Sequence, residues 1–345
     1  MLPENIILTN RPGSDLEEFL TKRNYSKILV LVDEHTQEAC YPMISGSLPA
    51  HGVLTVESGE ENKVLETCEA IWQTMTDENL DRHAALIILG GGVLGDMGGF
   101  CAATYKRGID FILIPTTLLA QADASIGGKL GIDFNNFKNH IGVFKQPALT
   151  LLYAGFLKTL PENELRSGFA EVIKHTLISD KKLWDVIRTK DLKGQDWNTL
   201  LKQSAEFKYS VIEQDPYEKG LRKILNAGHT VGHALESYFL ANDDKILHGE
   251  AIAAGLIAEA YIASKKKLLD DQSLKEITEY ILGIFGKLTI PENALPEIAA
   301  LCLQDKKNKG NSVLSAIPEG IGSAKWDVEI SLAEVVNSLQ FYRSC

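Results

Sequence analysis

Ala84-Ala85-Leu86-Ile87-Ile88-Leu89-Gly90-Gly91-Gly92-Val93-Leu94-Gly95-Asp96 passes from an unbroken apolar run directly into glycines. A short continuous aliphatic segment reads as a strand buried on both faces, as in parallel sheets. Gly90, Gly92 and Gly95 then satisfy Gly-x-Gly-x-x-Gly where a helix opens, a placement suited to a pyrophosphate on backbone N–H groups. A turn that only lets helix and strand pack closely would carry the same glycines. The pattern follows the third strand, not the first, which argues against a standard Rossmann domain.

Working outward, Lys27–Val32 and Val53–Val56 are the two preceding strands, and Phe111–Ile114 is the next, stopped by Pro115. Asp33 and Glu34 stand at the carboxyl end of the first, where open α/β sheets place ligand contacts. Val64, Cys68, Ile71, Trp72 and Met75 form one stripe of an intervening helix. Alternating strands and helices predict a parallel sheet covered on both faces. Beyond Tyr153 the apolar period becomes 3.6. Helices are expected over Glu162–Ile178, Lys181–Arg188, Trp197–Gln214, Asn226–Leu240, Glu250–Lys266 and Leu332–Phe341, with a small hairpin at Val313–Pro318. The expected division is an α/β domain over 1–153 and an all-α domain over 154–345, tightly packed with the active site between them.

The chain has 345 residues and a net charge of −11, with an ordinary apolar content. That balance argues against nucleic-acid partners and anionic membranes. Against it, Cys101–Lys145 is locally basic, with Lys106, Arg107, Lys129, Lys138 and Lys145 interleaved with glycines, as expected of a pocket for a small anion. The five cysteines are scattered without disulfide or zinc-knuckle spacing, and no run suits a signal peptide or membrane span. Reduced cytoplasm is the expected compartment.

Leu225–Glu250 carries three of the eight histidines, His229, His233 and His248, with Glu236 and Glu250 interleaved. His229 and His233 lie one helical turn apart on one face. Imidazoles and a carboxylate suit a borderline cation such as Zn²⁺. A hydrogen-bonded core pair has the same spacing. On the helix after Pro161, Glu171 and Lys174 share a face, which fits either a salt bridge or a site.

Together these motifs resemble the 3-dehydroquinate synthase family over roughly Ser58–Ala324. The likeness rests on Gly90-Gly91-Gly92-Val93-x-Gly95-Asp96, Ala102–Gly108, Pro115–Gln121, Gly127-Gly128-Lys129 and Gly168–Lys174. Gly220-Leu221-Arg222, Asn226-x-Gly228-His229-Thr230-x-Gly232-His233 and Asp305-Lys306-Lys307 complete it, and several long motifs in order are more specific than any one. Leu130, Asp133, Phe137 and Ala124 depart from the commonest residues at their positions.

The resemblance implies an amino-terminal NAD⁺-binding α/β domain, a helical metal-binding domain and a homodimer. It implies Glu171, His229 and His248 as ligands of Zn²⁺, or of Co²⁺, leaving His233 to handle protons. Lys129, Lys174, Asp123 and Asn226 would join His233 in catalysis. Arg107, Lys138, Asn139, Lys208, Arg222 and a lysine from Lys306 and Lys307 would hold the substrate. Asp33, Glu60, Lys63, Gly91, Gly92, Val93, Asp96, Thr116 and Thr117 would bind NAD⁺, together with Lys129 and Lys138. The implied activity is the shikimate-pathway conversion of 3-deoxy-D-arabino-heptulosonate 7-phosphate to 3-dehydroquinate and phosphate. NAD⁺ oxidises the C5 hydroxyl, the new ketone acidifies the adjacent C–H, phosphate leaves, and the hydride returns before an intramolecular aldol closure. The implied rivals are another sugar phosphate cyclase, a zinc polyol dehydrogenase on a similar scaffold, and a non-catalytic nucleotide binder.

Overall fold

The computed structural model describes residues 2–135, 137–304 and 313–345. The chain divides into two compact units, Met1–Pro161 with Trp197–Glu206, and Glu162–Asp196 with Phe207–Cys345.

In the first unit the chain runs β1 (Ile6–Leu8), α1 (Pro12–Arg23), β2 (Ile28–Asp33), α2 (Glu34–Ala39), α3 (Pro42–Ser45), β3 (Gly52–Val56) and α4 (Leu65–Asp77). It continues through β4 (Ala85–Gly90), α5 (Gly92–Thr104), β5 (Asp110–Pro115), β6 (Lys129–Phe134), β7 (Phe137–Phe144) and β8 (Leu149–Leu152). Among the described residues, six strands form a parallel sheet in the order β1-β8-β5-β4-β2-β3. Alternate residues go to opposite faces. Leu29, Leu31, Leu86, Ile88, Phe111 and Leu113 meet α4 and α5, whereas Val30, Val32, Ile87, Leu89, Ile112 and Ile114 meet Leu16, Leu20 and Ile44 on the other side. Each fully buried aliphatic side chain contributes about 1.5–3 kcal/mol, so two covered faces explain the unbroken apolar runs.

The chain goes from β2 to β3 on one side and returns to β4 on the other, so the carboxyl ends of β2 and β4 flank a switch point. Asp33 and Gly90 end those strands. The four strands read from sequence are β2, β3, β4 and β5. The short β1 and β8 were not among them. Nor was the antiparallel β6–β7 hairpin, whose second strand is exposed at most positions.

The second unit contains α6 (Glu162–Ser179), α7 (Lys181–Ile187), the last part of α8 (Trp197–Gln214), α9 (His229–Ala241), α10 (His248–Lys265), α11 (Asp271–Phe285) and α12 (Leu295–Leu301). An antiparallel pair, β9 (Val313–Pro318) and β10 (Ala324–Ile330), precedes α13 (Leu332–Ser344). The run read as a whole hairpin is therefore one strand of a longer one. Helix α10 is the central element, packed against α6, α9, α11 and α13. The helix expected from Asn226 starts only at His229. Leu221–Asn226 is a 3₁₀ turn, and Gly228 follows in the left-handed region at φ 79°. Among the described residues no helix is long and apolar enough to cross a membrane.

Candidate metal centre and nucleotide cleft

Three elements of the second unit converge on Glu171. It is buried on α6, while His229 opens α9 and His248 opens α10. His229 Nε2 lies 3.5 Å and His248 Nε2 3.7 Å from Glu171 Oε1. One ligand atom from each of the three falls within 4.8 Å of the others. The far ring nitrogens are held as metal-binding histidines require. Ala227 O lies 3.1 Å from His229 Nδ1, and Glu236 Oε2 lies 3.3 Å from His248 Nδ1. A carbonyl only accepts, so His229 Nδ1–H donates and Nε2 keeps its lone pair toward Glu171. Two imidazoles and a carboxylate at this separation suit Zn²⁺ or Co²⁺ with a position left for substrate.

Electrostatics separate the histidines. Burial and the Lys174 ammonium keep His229 well below its usual pKa. Burial alone would lower His248, but hydrogen bonds to Glu171 and Glu236 outweigh it and push the ring up to about 9. His233 is exposed, with its ring centroid 5.0 Å from that of His229 and 6.1 Å from that of His248. His233, Glu236 and His248 make a second arrangement within ligand reach, so the helix-face pair is divided between two sets of neighbours. Glu250 belongs to neither set. Its carboxylate accepts the Leu247 N–H at 2.9 Å and caps α10.

Lys174 is buried one turn beyond Glu171 and pairs with its carboxylate. Lys208 and Arg222 are also buried in this unit, and the 3₁₀ turn carrying Arg222 packs against α6. Two residues that the sequence reading passed over organise that turn. Asp215 accepts N–H bonds from Lys219, Gly220 and Arg222 at 2.9, 2.7 and 3.1 Å. Those bonds, that of Gly220 first, hold its carboxyl below the usual range. Glu218 Oε1 accepts from Asn226 Nδ2 at 2.7 Å. The signal available in the sequence is the short spacing Asp215-Pro216-x-Glu218 directly before Arg222. Lys306 and Lys307 lie outside the described residues.

The first unit holds the other group. Gly90, Gly91, Gly92, Gly95, Asp96 and Lys129 help line a cleft at the carboxyl ends of β4 and β5. The glycines divide by role. A Cβ on Gly98 would lie 2.7 Å from Leu31 and one on Gly99 2.5 Å from Leu130, so these serve packing. A Cβ on Gly92 or Gly95 would find its nearest neighbour at 3.5 or 4.0 Å. Val93 follows in the first turn of α5, and Thr116 is buried after β5 beside Thr117. Lys63 is buried and bonds Asp96 Oδ2 at 2.7 Å and Asn139 Oδ1 at 2.6 Å, which brings Asn139 to the residues expected around NAD⁺. Glu60 Oε1 lies 4.0 Å from Lys138 Nζ. Asp33 caps α2 through Thr36 N–H at 2.7 Å. Asp123 sits half-buried in a π-helical turn, and Arg107 is exposed in the left-handed region. In the basic stretch, Lys106 and Lys145 are tied to the carbonyls of Leu80 and Ile109. Two of the four departures from the family's usual residues also have local explanations. Leu130 packs on α5, and Asp133 Oδ1 accepts the Asn139 N–H at 2.7 Å.

Comparison with known proteins agrees with this picture. The profile described as 3-dehydroquinate synthase N-terminal matches residues 53–167, and that described as 3-dehydroquinate synthase C-terminal matches 168–308. A 3-dehydroquinate synthase of Parabacteroides distasonis is 36% identical over 349 residues, covering 99% of each chain. Among solved structures, 2-epi-5-epi-valiolone synthase from Streptomyces hygroscopicus, with NAD⁺ and Zn²⁺ bound, superposes with a TM-score of 0.86 at 24% identity, covering 100% of this chain and 98% of that one. A 2-deoxy-scyllo-inosose synthase complexed with carbaglucose-6-phosphate, NAD⁺ and Co²⁺ gives 0.84 at 22% identity, over 97% and 96%. Those two likenesses establish the fold, a parallel α/β domain followed by a helical one. By both profiles and by its full-length relative, the chain belongs to the 3-dehydroquinate synthase family.

Proposed function

We propose that the chain converts 3-deoxy-D-arabino-heptulosonate 7-phosphate to 3-dehydroquinate and phosphate, as an NAD⁺- and metal-dependent carbon–oxygen lyase of aromatic amino acid biosynthesis. The observation that carries this reading is the set Glu171, His229 and His248 in one unit with buried Lys174, Lys208 and Arg222. A neutral polyol would not call for three buried cations, whereas a substrate bearing a carboxylate and a phosphate would. At the domain scale, residues 1–153 are assigned to NAD⁺ and 154–345 to metal and substrate, in a cytoplasmic homodimer.

Glu171, His229 and His248 would hold Zn²⁺ or Co²⁺. When bound, the metal supplies a Lewis acid that acidifies the substrate hydroxyl and polarises the ketone. His233 takes the hydroxyl proton from its exposed position one turn beyond His229. Asn226, steadied by Glu218, orients substrate hydroxyls, and Lys174, Lys208 and Arg222 neutralise its anionic ends. The backbone around Gly91, Gly92 and Val93 receives the pyrophosphate, Thr116 and Thr117 flank it, and Asp33, Glu60, Lys63 and Asp96 address the rest of the dinucleotide. Asp123, Lys129, Lys138, Asn139 and Arg107 serve the reacting end together with Lys306 or Lys307.

One assay tests this reading. Purified chain, the heptulosonate phosphate and NAD⁺ are mixed, and phosphate, dehydroquinate and NADH are followed separately. Phosphate and dehydroquinate are expected in equal amounts with flat NADH absorbance. Chelation should stop turnover, and Zn²⁺ or Co²⁺ should restore it. Stoichiometric NADH without phosphate would make the chain a polyol dehydrogenase instead.

A further inference from the structure

Glu259 is a carboxylate in the otherwise apolar middle of α10, wholly buried among its alanines and isoleucines. An ionised group in that place is costly unless it is well bonded. Its bonds run to the neighbouring helix. Gly228 N–H donates to Glu259 Oε2 at 2.6 Å, and Val231 N–H donates to Oε1 at 3.2 Å. Helix α9 has glycine at its N-cap and no side-chain cap of its own, so Glu259 caps it from outside. The partial positive charge at the helix start and two charge-assisted bonds offset the desolvation.

The approach of the helices is built for this contact. Gly255 lies one turn before Glu259 on the same face of α10, and a Cβ there would fall 2.0 Å from Gly228 O. The turn that Glu259 holds is the one that presents His229. Ala227 O fixes the His229 ring, whose Nε2 faces Glu171 at 3.5 Å. His248, at the start of α10, faces the same carboxylate. Helix α10 thus supplies one member of the set and grips the backbone that supplies another.

We propose that Glu259 is a positioning residue of the metal centre, fixing His229 relative to His248 through the Gly228–Val231 backbone. The proposal rests on the reading of Glu171, His229 and His248 as metal ligands. Partners of this kind typically change metal affinity by about 10–100-fold when lost, whereas a cap that served only stability would leave affinity unchanged in the folded variant.

The test uses the full chain stripped of metal and titrated with Co²⁺, reading affinity against a chromophoric chelator and the visible ligand-field spectrum. Wild type should bind one Co²⁺ that His229→Ala loses. Glu259→Ala, folded by circular dichroism, should bind about tenfold or more weakly with an altered spectrum. Glu259→Gln keeps the shape and one acceptor and should fall between the two. If Glu259→Ala does not fold, Glu259→Gln decides the matter by the same readings. Wild-type affinity and spectrum in the folded variant would overturn the positioning role alone. Absence of Co²⁺ binding by wild type would instead remove the metal reading, and this proposal with it.

Discussion

His229 and His233 occupy equivalent places on one helix face, yet their partners differ. His229 points Nε2 at buried Glu171 and has its Nδ1 taken by Ala227 O, while His233 is exposed and keeps company with Glu236 and His248. His229→Ala should therefore lose bound metal, because two remaining ligands hold it poorly. His233→Ala should retain about one metal per chain but turn over about 100-fold more slowly, the usual scale of a lost proton-transfer group. Metal analysis and kcat of the two purified variants check this, and the reverse pattern of metal content would sink it. Spacing alone could not separate the two rings, since both lie on one face whichever binds. What divides them is a carboxylate on another helix, and no local pattern encodes that crossing. Glu236 stands between the histidines in the sequence, but its role does not show there, because its bond to His248 forms only where α9 meets α10.

Elements were legible where their period was long and their boundaries local. The runs forming β2, β4 and β5, and the stripes of α6 and α8, give themselves away by composition. The start of α9 does not, because its cap comes from Glu259 on α10. Glycines make the same point. A Cβ at Gly255 would meet Gly228 O at 2.0 Å and Gly232 N at 2.7 Å, both backbone atoms that cannot step aside. Gly283 on α11 has nothing within 4 Å. Gly255→Ala should cost about 3 kcal/mol as α9 and α10 are forced apart, whereas Gly283→Ala should gain up to about 1 kcal/mol. Urea denaturation of both variants measures the contrast, and equal effects would refute the close-approach argument. The turn before α9 offers a pH test. The Asp215 carboxyl is depressed by its backbone bonds, so its contribution is complete above the unfolded value of about 3.9 and is lost as pH falls through the lower folded value. At neutral pH the wild-type amides of Lys219, Gly220 and Arg222 should resist hydrogen exchange. Asp215→Asn should release them there, raising KM more than it lowers kcat if Arg222 binds substrate. Unchanged exchange in that variant would show that the turn holds without the carboxylate.

At the scale of the whole molecule, a net charge of −11 surrounds a site meant for an anion, and the positive groups that matter are few and placed inside. The locally basic stretch pointed to such a pocket, but two of its lysines are spent on backbone carbonyls. The buried cations of the second unit enter through the family resemblance, since spacing alone leaves Glu171 and Lys174 undecided. The two candidate sites lie in separate compact units, the glycine cleft in the first and the Glu171 centre in the second. That separation has a thermodynamic signature, because a ligand protects the structure whose opening would destroy its own site. At a hundred times its dissociation constant, a ligand stabilises the binding-competent state by about 2.7 kcal/mol, which slows exchange through such openings about 100-fold. Adding Zn²⁺ to the metal-free chain should slow exchange in α6 around Glu171 and in the first turns of α9 and α10, because opening any of them removes a ligand. Adding NAD⁺ should slow it at Gly91–Asp96 and around Thr116. The strongest metal protection should fall at Gly228 and Val231, the amides held by Glu259, and it should shrink in Glu259→Gln. Hydrogen-exchange mass spectrometry with each ligand alone maps the two footprints. If Zn²⁺ left α9 and α10 unprotected while binding stoichiometrically, the metal would lie elsewhere and Glu171, His229 and His248 would have to be released from that role.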